Sequence, residues 1–413
     1  MDFFSGRYYK VNKFLLTIIG NWPDQSLWSA IFFRGILCIL WLSFLITQLA
    51  QIYEAGKDWN EISQVLPVLL ICLICSVKFS SSALTINIMK EMCLKLSSEW
   101  QRKRYKEEEE ILHRYTENSR LFTVVYTSYM YAICISQGFL PLIPVFLDRV
   151  APLNATRARK QLFTSEYFID QEEYFYFISL HIALTSIFGV TVVVSVDCMY
   201  IVLIRHACAM FSVVGWKLEN FMFKRKGCVR ASSIHAKEIL DEIVDSIDAH
   251  ERALKFSELI ESCYTWSMLL QLGLSLICMS FILVRMVTAV GNIDETIEYT
   301  LMTSGVLLNL LFNSYPGQML MDHSLDISNK AYNAIWYEMP TKFQRLFLMI
   351  IRRGSEPSCV SAGKMVILTL SSFSTVKAYL DLSKLLFEIQ YRIINAVFRF
   401  FKPLYRILRF SYQ

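Results

Sequence analysis

Seven stretches of the chain are apolar over a length that matches a bilayer, and polar blocks separate them. They run over 31–53, 63–89, 121–147, 174–204, 263–290, 299–321 and 362–389. Each has about the 20 residues that a helix needs to cross the hydrocarbon core. Pro67 sits near the start of the second stretch, and Pro141 and Pro144 mark the far end of the third. Polar residues interrupt every stretch, as expected of helices that pack on each other and line a cavity. The pattern predicts an all-α fold, a polytopic membrane protein with seven transmembrane helices over residues 1–390. A basic amphipathic tail, 391–413, follows.

Three of the intervening segments are periodic in their own right. In "AKEILDEIVDSIDAHERALKFSELIE", Ile239, Ile243, Ile247, Leu254 and Leu259 recur near helical spacing with charges between them. This predicts either solvated extensions of spans four and five or a packing domain between subunits. Segment 90–120 alternates basic and acidic blocks, which suits ion pairs three and four residues apart on a helix. Segment 331–353, "AYNAIWYEMPTKFQRLFLMIIRR", passes a proline and becomes a basic amphipathic helix. Phe343, Leu346, Phe347 and Ile350 form its apolar face.

Lys and Arg set the orientation. They collect after spans two, four and six and near the N-terminus, at Arg7, Lys10 and Lys13. The segment after span one has only Lys57, and the one after span five has none. Arg149, Arg157, Arg159 and Lys160 after span three weaken the contrast. The N-terminus and the helical extensions are therefore expected in the cytoplasm, with span seven ending outside. The sequon Asn154-Ala155-Thr156 then falls outside, making Asn154 a candidate glycosylation site. The first thirty residues hold a single short apolar run, 14–20, so the first span is expected to act as an uncleaved anchor.

Composition agrees with a membrane location. The chain is 54% hydrophobic and 19% charged over 413 residues, against roughly 45–50% and 25% for soluble domains. The net charge of +5 is dispersed between spans, with no compact basic domain and no nucleic-acid reader motif. The cysteines lie mostly inside apolar runs and form no Cys/His cluster of zinc-like spacing. No G-x-S-x-G, HExxH, P-loop or dinucleotide fingerprint is present. The expectation is no catalysis, no metal and no cofactor.

The C-terminal third resembles the insect odorant receptor family. The residues that carry the likeness are Tyr315, Gly317, Gln318, Ser324, Ser328, Ala331, Tyr332, Trp336 and Tyr337. They continue with Arg345, Met349, Arg352, Pro357, Ala362-Gly363-Lys364, Leu368, Leu370 and Phe373. The segment "LFTSEYFIDQEEYFY" is similar to the family's external lead into span four. The resemblance implies an odorant-gated cation channel in the plasma membrane of olfactory sensory neurons. Tuning subunits assemble with a shared co-receptor as hetero-tetramers, and this chain resembles a tuning subunit. Trp336, Tyr337, Phe343, Leu346, Phe347 and Ile350 would then pack against neighbouring subunits in a cytoplasmic anchor; the alternative is a helix lying on the inner leaflet.

The resemblance also implies an odorant pocket within the bundle, built from shape, aromatic faces and one or two polar groups. The candidates are Tyr129, Met130 and Phe139 on span three, with Phe177 and His181 on span four; ordinary helix packing is the alternative for each. His181 is the most pointed of these, because an imidazole in an apolar span needs a partner or water. Matching Lys377 to the family's lysine puts Leu382, Leu385 and Leu386 near a pore constriction that gates by dewetting. Lipid-facing leucines are the alternative. Asp381, Lys384 and Glu388 depart from the family pattern, as does the tail with Arg392, Arg399, Lys402, Arg406 and Arg409. That tail is expected either to lie as an interfacial helix or to mark a wrong chain end. A gustatory-type channel is the runner-up, although its last-span signature is absent. A metabotropic seven-helix receptor fits less well, since it requires an external N-terminus.

Overall fold

A computed structural model describes residues 3–56, 58–150, 157, 159, 161–223, 233–289, 293–334 and 336–374. Among these residues it has ten α-helices, three single 3₁₀ turns and one short hairpin. The helices are α1 (Lys10–Ile18), α2 (Leu27–Ala55), α3 (Trp59–Leu84), α4 (Ile86–Gln101) and α5 (Lys106–Phe139). They continue with α6 (Ile143–Val150), α7 (Phe175–Phe223), α8 (Ser233–Thr288), α9 (Ile293–Asn333) and α10 (Thr341–Gly354). The hairpin pairs β1 (Ser361–Ala362) with β2 (Val366–Ile367) in antiparallel fashion.

Local chemistry sets the helix ends. Ser26 accepts a hydrogen bond from the Ser29 N–H and caps α2, and Asp58 accepts from Asn60 N–H at 2.8 Å and caps α3. Thr85 interrupts the second apolar stretch, separating α3 from α4. Pro141 and Pro144 cannot donate to a helix, so α5 gives way to a 3₁₀ turn and then α6. The expected helical extensions exist: α4 and α5 form a hairpin through residues 102–105, and α7 and α8 run far past their apolar parts.

α2, α3, α5 with α6, α7 and α8 are each long and apolar enough to cross a membrane. α9 coincides with the expected sixth span but is less apolar, because it buries Ser304, Asn309, Asn313 and Ser314 in the bundle. α7 is central. Its residues from Thr191 to Phe211 are almost all buried, as a helix that is apolar on every side should be. α2 is peripheral and leaves Ile31, Phe32, Ile39, Leu42 and Ile46 exposed, a face suited to lipid. The N-terminal α1 packs on α7, where Asn12 Nδ2 donates to the Cys198 carbonyl at 3.2 Å.

Two expectations need correction. The seventh stretch does not begin as a helix at 362. Gly363 and Lys364 have φ of +61° and +59°, which an α-helix cannot hold, so the chain turns back as the β1–β2 hairpin and is helical only from 370. The apolar face of α10 is also not free for a neighbouring subunit. Phe343, Phe347 and Ile350 are buried in the chain's own core beside Ile327 and Ala331 of α9, with Leu346 half-buried against it. Trp336 is half-buried, while Tyr332, Tyr337, Leu348 and Met349 are exposed. Asn154, Leu382, Leu385, Leu386 and the tail 391–413 lie outside the described residues.

The hairpin sits hard against α9 at Gly317. A Cβ added there would stand 2.2 Å from the Leu368 carbonyl oxygen. Gly317→Ala is therefore expected to unseat the hairpin and lower the amount of folded protein, read as the monodisperse peak of the detergent-solubilised chain; an unchanged peak and melting temperature would contradict this packing.

His250 is buried in the α8 extension, edge-on to Phe211. Burial, aided by the charge of Arg353, pushes its pKa from 6.5 down to about 4. The folded state thus binds fewer protons than the unfolded chain between these values. Stability is expected to be full above pH 6.5 and to fall progressively toward pH 4. A His250→Gln variant should show a flatter melting temperature against pH over that window.

Candidate functional site

A cavity of about 160 Å³ lies among α2, α3, α5, α7, α8 and α9. Its walls are mostly apolar. Trp41 and Phe44 come from α2, Met130 and Cys134 from α5, and Met302 and Val306 from α9. Cys72 and Cys75, a Cys-Leu-Ile-Cys pair inside α3, also line it, and both are free thiols. Gln137, Thr185, Ser186, Ser275 and Asn309 supply the polar groups. An apolar hollow with a few convergent polar groups is the usual form of a small-molecule site.

Two glycines shape the hollow. A Cβ at Gly189 would meet the Trp41 ring at 3.2 Å, so the missing side chain lets the indole approach α7 closely. Trp41 Nε1–H donates to Ser76 Oγ at 2.8 Å, which fixes the ring. At Gly305 a Cβ would meet only Ile133 Cδ1, at 4.0 Å, so the cavity is open there.

The segment leading into α7 covers this end of the bundle. Phe163 reaches into the cavity wall, Leu162 is buried, and Glu166 N–H donates to the Thr47 carbonyl at 3.3 Å. His181 joins that cover to the helices. Its Nε2 is 2.9 Å from Ser43 Oγ on α2, and its Nδ1 is 2.8 Å from the Tyr167 hydroxyl. Both ring nitrogens are thus engaged, and the imidazole braces the cavity from behind Phe44 instead of lining it.

The other sequence candidates separate cleanly. Met130 lines the cavity. Tyr129 packs into the adjoining cluster around Phe122, Tyr126 and Phe312. Phe139 and Phe177 face outward, 61% and 73% exposed. Helical periodicity could not tell these faces apart, because spans three and four are apolar nearly all round.

Asn309 links the cavity to a buried charged network. Lys78 of α3 and Asp197 of α7 form an ion pair with side chains only 2% and 1% exposed. Asp197 Oδ2 also accepts from the Tyr126 hydroxyl at 2.7 Å and from Asn309 Nδ2 at 2.6 Å. Gln271 Nε2 of α8 donates to Asn309 Oδ1, and Asn313 Nδ2 reaches the same oxygen at 3.3 Å. Five helices meet at this one carboxylate and its partners. Asn309 belongs to both units, since its side chain bonds Asp197 and lines the cavity. Among the described residues no group of His, Cys, Asp and Glu side chains is arranged to hold a metal.

Sequence reading missed this network. Asp197 and Lys78 lie 119 positions apart in two different apolar stretches, so no local pattern joins them. The available signal was that an ionisable residue inside a span implies a partner.

Removing one member of a buried pair leaves the other charge uncompensated, at a cost of about 3–5 kcal/mol. Lys78→Met is therefore expected to abolish surface expression. Lys78→Met with Asp197→Asn should recover much of it, since no unpaired charge then remains; surface biotinylation distinguishes the two results.

Comparison with known proteins gives this architecture relatives. The model of the family described as 7tm Odorant receptor matches residues 58–379. Odorant receptor 67c of Drosophila melanogaster is 21% identical over 164 residues, 40% of this chain and 38% of that protein. Odorant receptor 9a of the same organism is 22% identical over 193 residues, 47% of this chain and 46% of that protein. The matched parts thus span less than half of either relative. The structure of the insect olfactory receptor OR5 from Machilis hrabei in complex with eugenol superposes with a TM-score of 0.75. That match has 12% identity and covers 91% of this chain and 96% of that one, a likeness of fold.

Proposed function

Because the chain belongs to the 7tm odorant receptor family, we propose that it is a tuning subunit of a ligand-gated cation channel. A volatile, mainly apolar molecule would occupy the cavity between α2, α3, α5, α7, α8 and α9. The channel would form with a co-receptor subunit, in the plasma membrane of olfactory sensory neurons. The N-terminus would be cytoplasmic, and a seventh span over 370–389 would complete the pore, with Leu382, Leu385 and Leu386 at its narrow part.

The observation that carries this reading is the position of Asn309. It lines an apolar hollow of ligand size and donates to the one buried carboxylate that joins five helices. A ligand that changes the contacts of Asn309 alters the donors around Asp197, and with them the relative placement of the helices. Only a difference in affinity between two arrangements can drive a gate. The shared asparagine is where that difference can arise.

One surface open to a partner is the outer side of α10 with the last turn of α9 and the turn between them. Tyr332, Tyr337, Leu348 and Met349 are apolar or aromatic and exposed there. This supports an intersubunit contact made by the face opposite the one expected from periodicity.

Whole-cell current under an odorant panel tests the function. Cells expressing this chain with the co-receptor should pass a fast cation current that survives G-protein blockade; a current lost under blockade would overturn the channel reading. Gly305→Leu fills the open part of the cavity. It is expected to raise the half-activating concentration about tenfold or more, or ~1.4 kcal/mol, with unchanged surface amount. An epitope on the N-terminus should be stained only after permeabilisation.

A further inference from the structure

At the opposite end of α5 and α7 from the apolar hollow lies a second and larger cavity, about 450 Å³ in volume. The α4–α5 hairpin, α7 and α8 enclose it. Five cations line it: Arg102, Lys103, Arg104, Lys217 and Arg252. Only three carboxylates face them, Glu99, Glu108 and Asp245.

The pairing is uneven. Glu99 is shared by three guanidinium groups. Its carboxylate lies 3.2 Å from Arg102 Nε, 2.6 Å from Arg104 Nη2 and 3.1 Å from Arg252 Nε. The Arg252 contact is close but misaligned, and Arg252 Nε completes no hydrogen bond. Lys217 divides itself between Asp245 and Glu108. Lys103 pairs with no carboxylate among the described residues, and its side chain is exposed at the rim. The cavity therefore holds two more positive charges than negative ones. Its low-dielectric walls strengthen the field of that excess. Burial lowers the pKa of Arg104, which Glu99 and Glu108 counter, while Arg102 and Arg252 lower it further. A bound anion would relieve that repulsion.

We propose that this cavity binds a polyanion carrying phosphate-type groups, and that the α4–α5 hairpin is locked against α7 and α8 when it does. Three planar guanidinium forks, two from the 102–105 turn and one from α8, suit phosphate oxygens, which accept paired hydrogen bonds. Lys217 and Arg252 lie about 15–20 Å beyond the apolar parts of α7 and α8, at 1.5 Å per residue. That height suits a free polyphosphate; a phosphorylated lipid headgroup offers the same chemistry.

The test uses full-length receptor in detergent, titrated with pyrophosphate and with inositol hexakisphosphate against sodium chloride of equal ionic strength. Thermal melting is the readout. The same receptor is melted in lipid discs with and without phosphatidylinositol bisphosphate. A saturable rise in melting temperature is expected. Arg102→Gln with Lys103→Gln, at exposed positions, should weaken half-saturation about tenfold, the scale of ~1.4 kcal/mol. Asp245→Asn removes a competing charge and should tighten it, a sign that a merely structural role would not give. A rise with the soluble probes assigns the free anion, and a rise confined to the lipid discs assigns the headgroup; both uphold the site. No saturable rise from any probe, or one unchanged in the double variant, overturns it.

Discussion

A charged pair cannot stand alone inside a bundle of apolar helices, and the rest of this architecture is arranged around that constraint. Lys78 and Asp197 are both almost fully buried. Taking two ions out of water is expensive, and their attraction repays the cost only when the remaining lone pairs and protons are also satisfied. Tyr126 and Asn309 complete Asp197, and Gln271 and Asn313 then hold Asn309. Each of these residues comes from a helix that must sit in one place for the bond to form. The network therefore specifies the packing of α3, α5, α7, α8 and α9 more sharply than apolar contact can, since lipid tails compete for apolar faces but not for hydrogen bonds.

That arrangement also explains why a hollow persists directly above. Polar side chains drawn toward Asp197 are not available to fill the space between α5, α7 and α9, and the residues that face it include Gly189 and Gly305. The apolar walls come from residues whose other contacts already hold them, such as Trp41 on Ser76. The segment that covers the hollow adds Phe163 and is pinned through Tyr167 and His181. Any selectivity of such a hollow would rest on a few positions, because most of the lining is generic hydrocarbon.

Much of the fold was legible in the sequence. Each of the first six apolar stretches falls on a long helix, α2, α3, α5, α7, α8 or α9, and the periodic segments became α4 and the extensions that carry α5, α7 and α8 well past those stretches. The proline pair ended α5 where it stands in the chain. The misreadings share one physical origin: periodicity reports that a face is apolar, not what covers it. Phe343, Phe347 and Ile350 do form one face of α10, yet α9 of the same chain takes it. Phe139 and Phe177 sit on helices with no polar side to orient them, and they turned outward. The start of the last stretch reads as apolar, but backbone conformation at Gly363 and Lys364 overrides composition. The ion pair needed a contact between residues far apart in the chain, which no local pattern encodes.

α7 runs without a break from Phe175 to Phe223. At 1.5 Å per residue it is about 70 Å long, and it is the helix on which the cover of the hollow, the apolar hollow, Asp197 and the basic cavity are all built. A rod of that length behaves as a lever. Tilting it by one degree about one end displaces the other by about 1 Å, enough to make or break a hydrogen bond. A molecule too small to reshape its own pocket visibly could thus rearrange the far end of the protein.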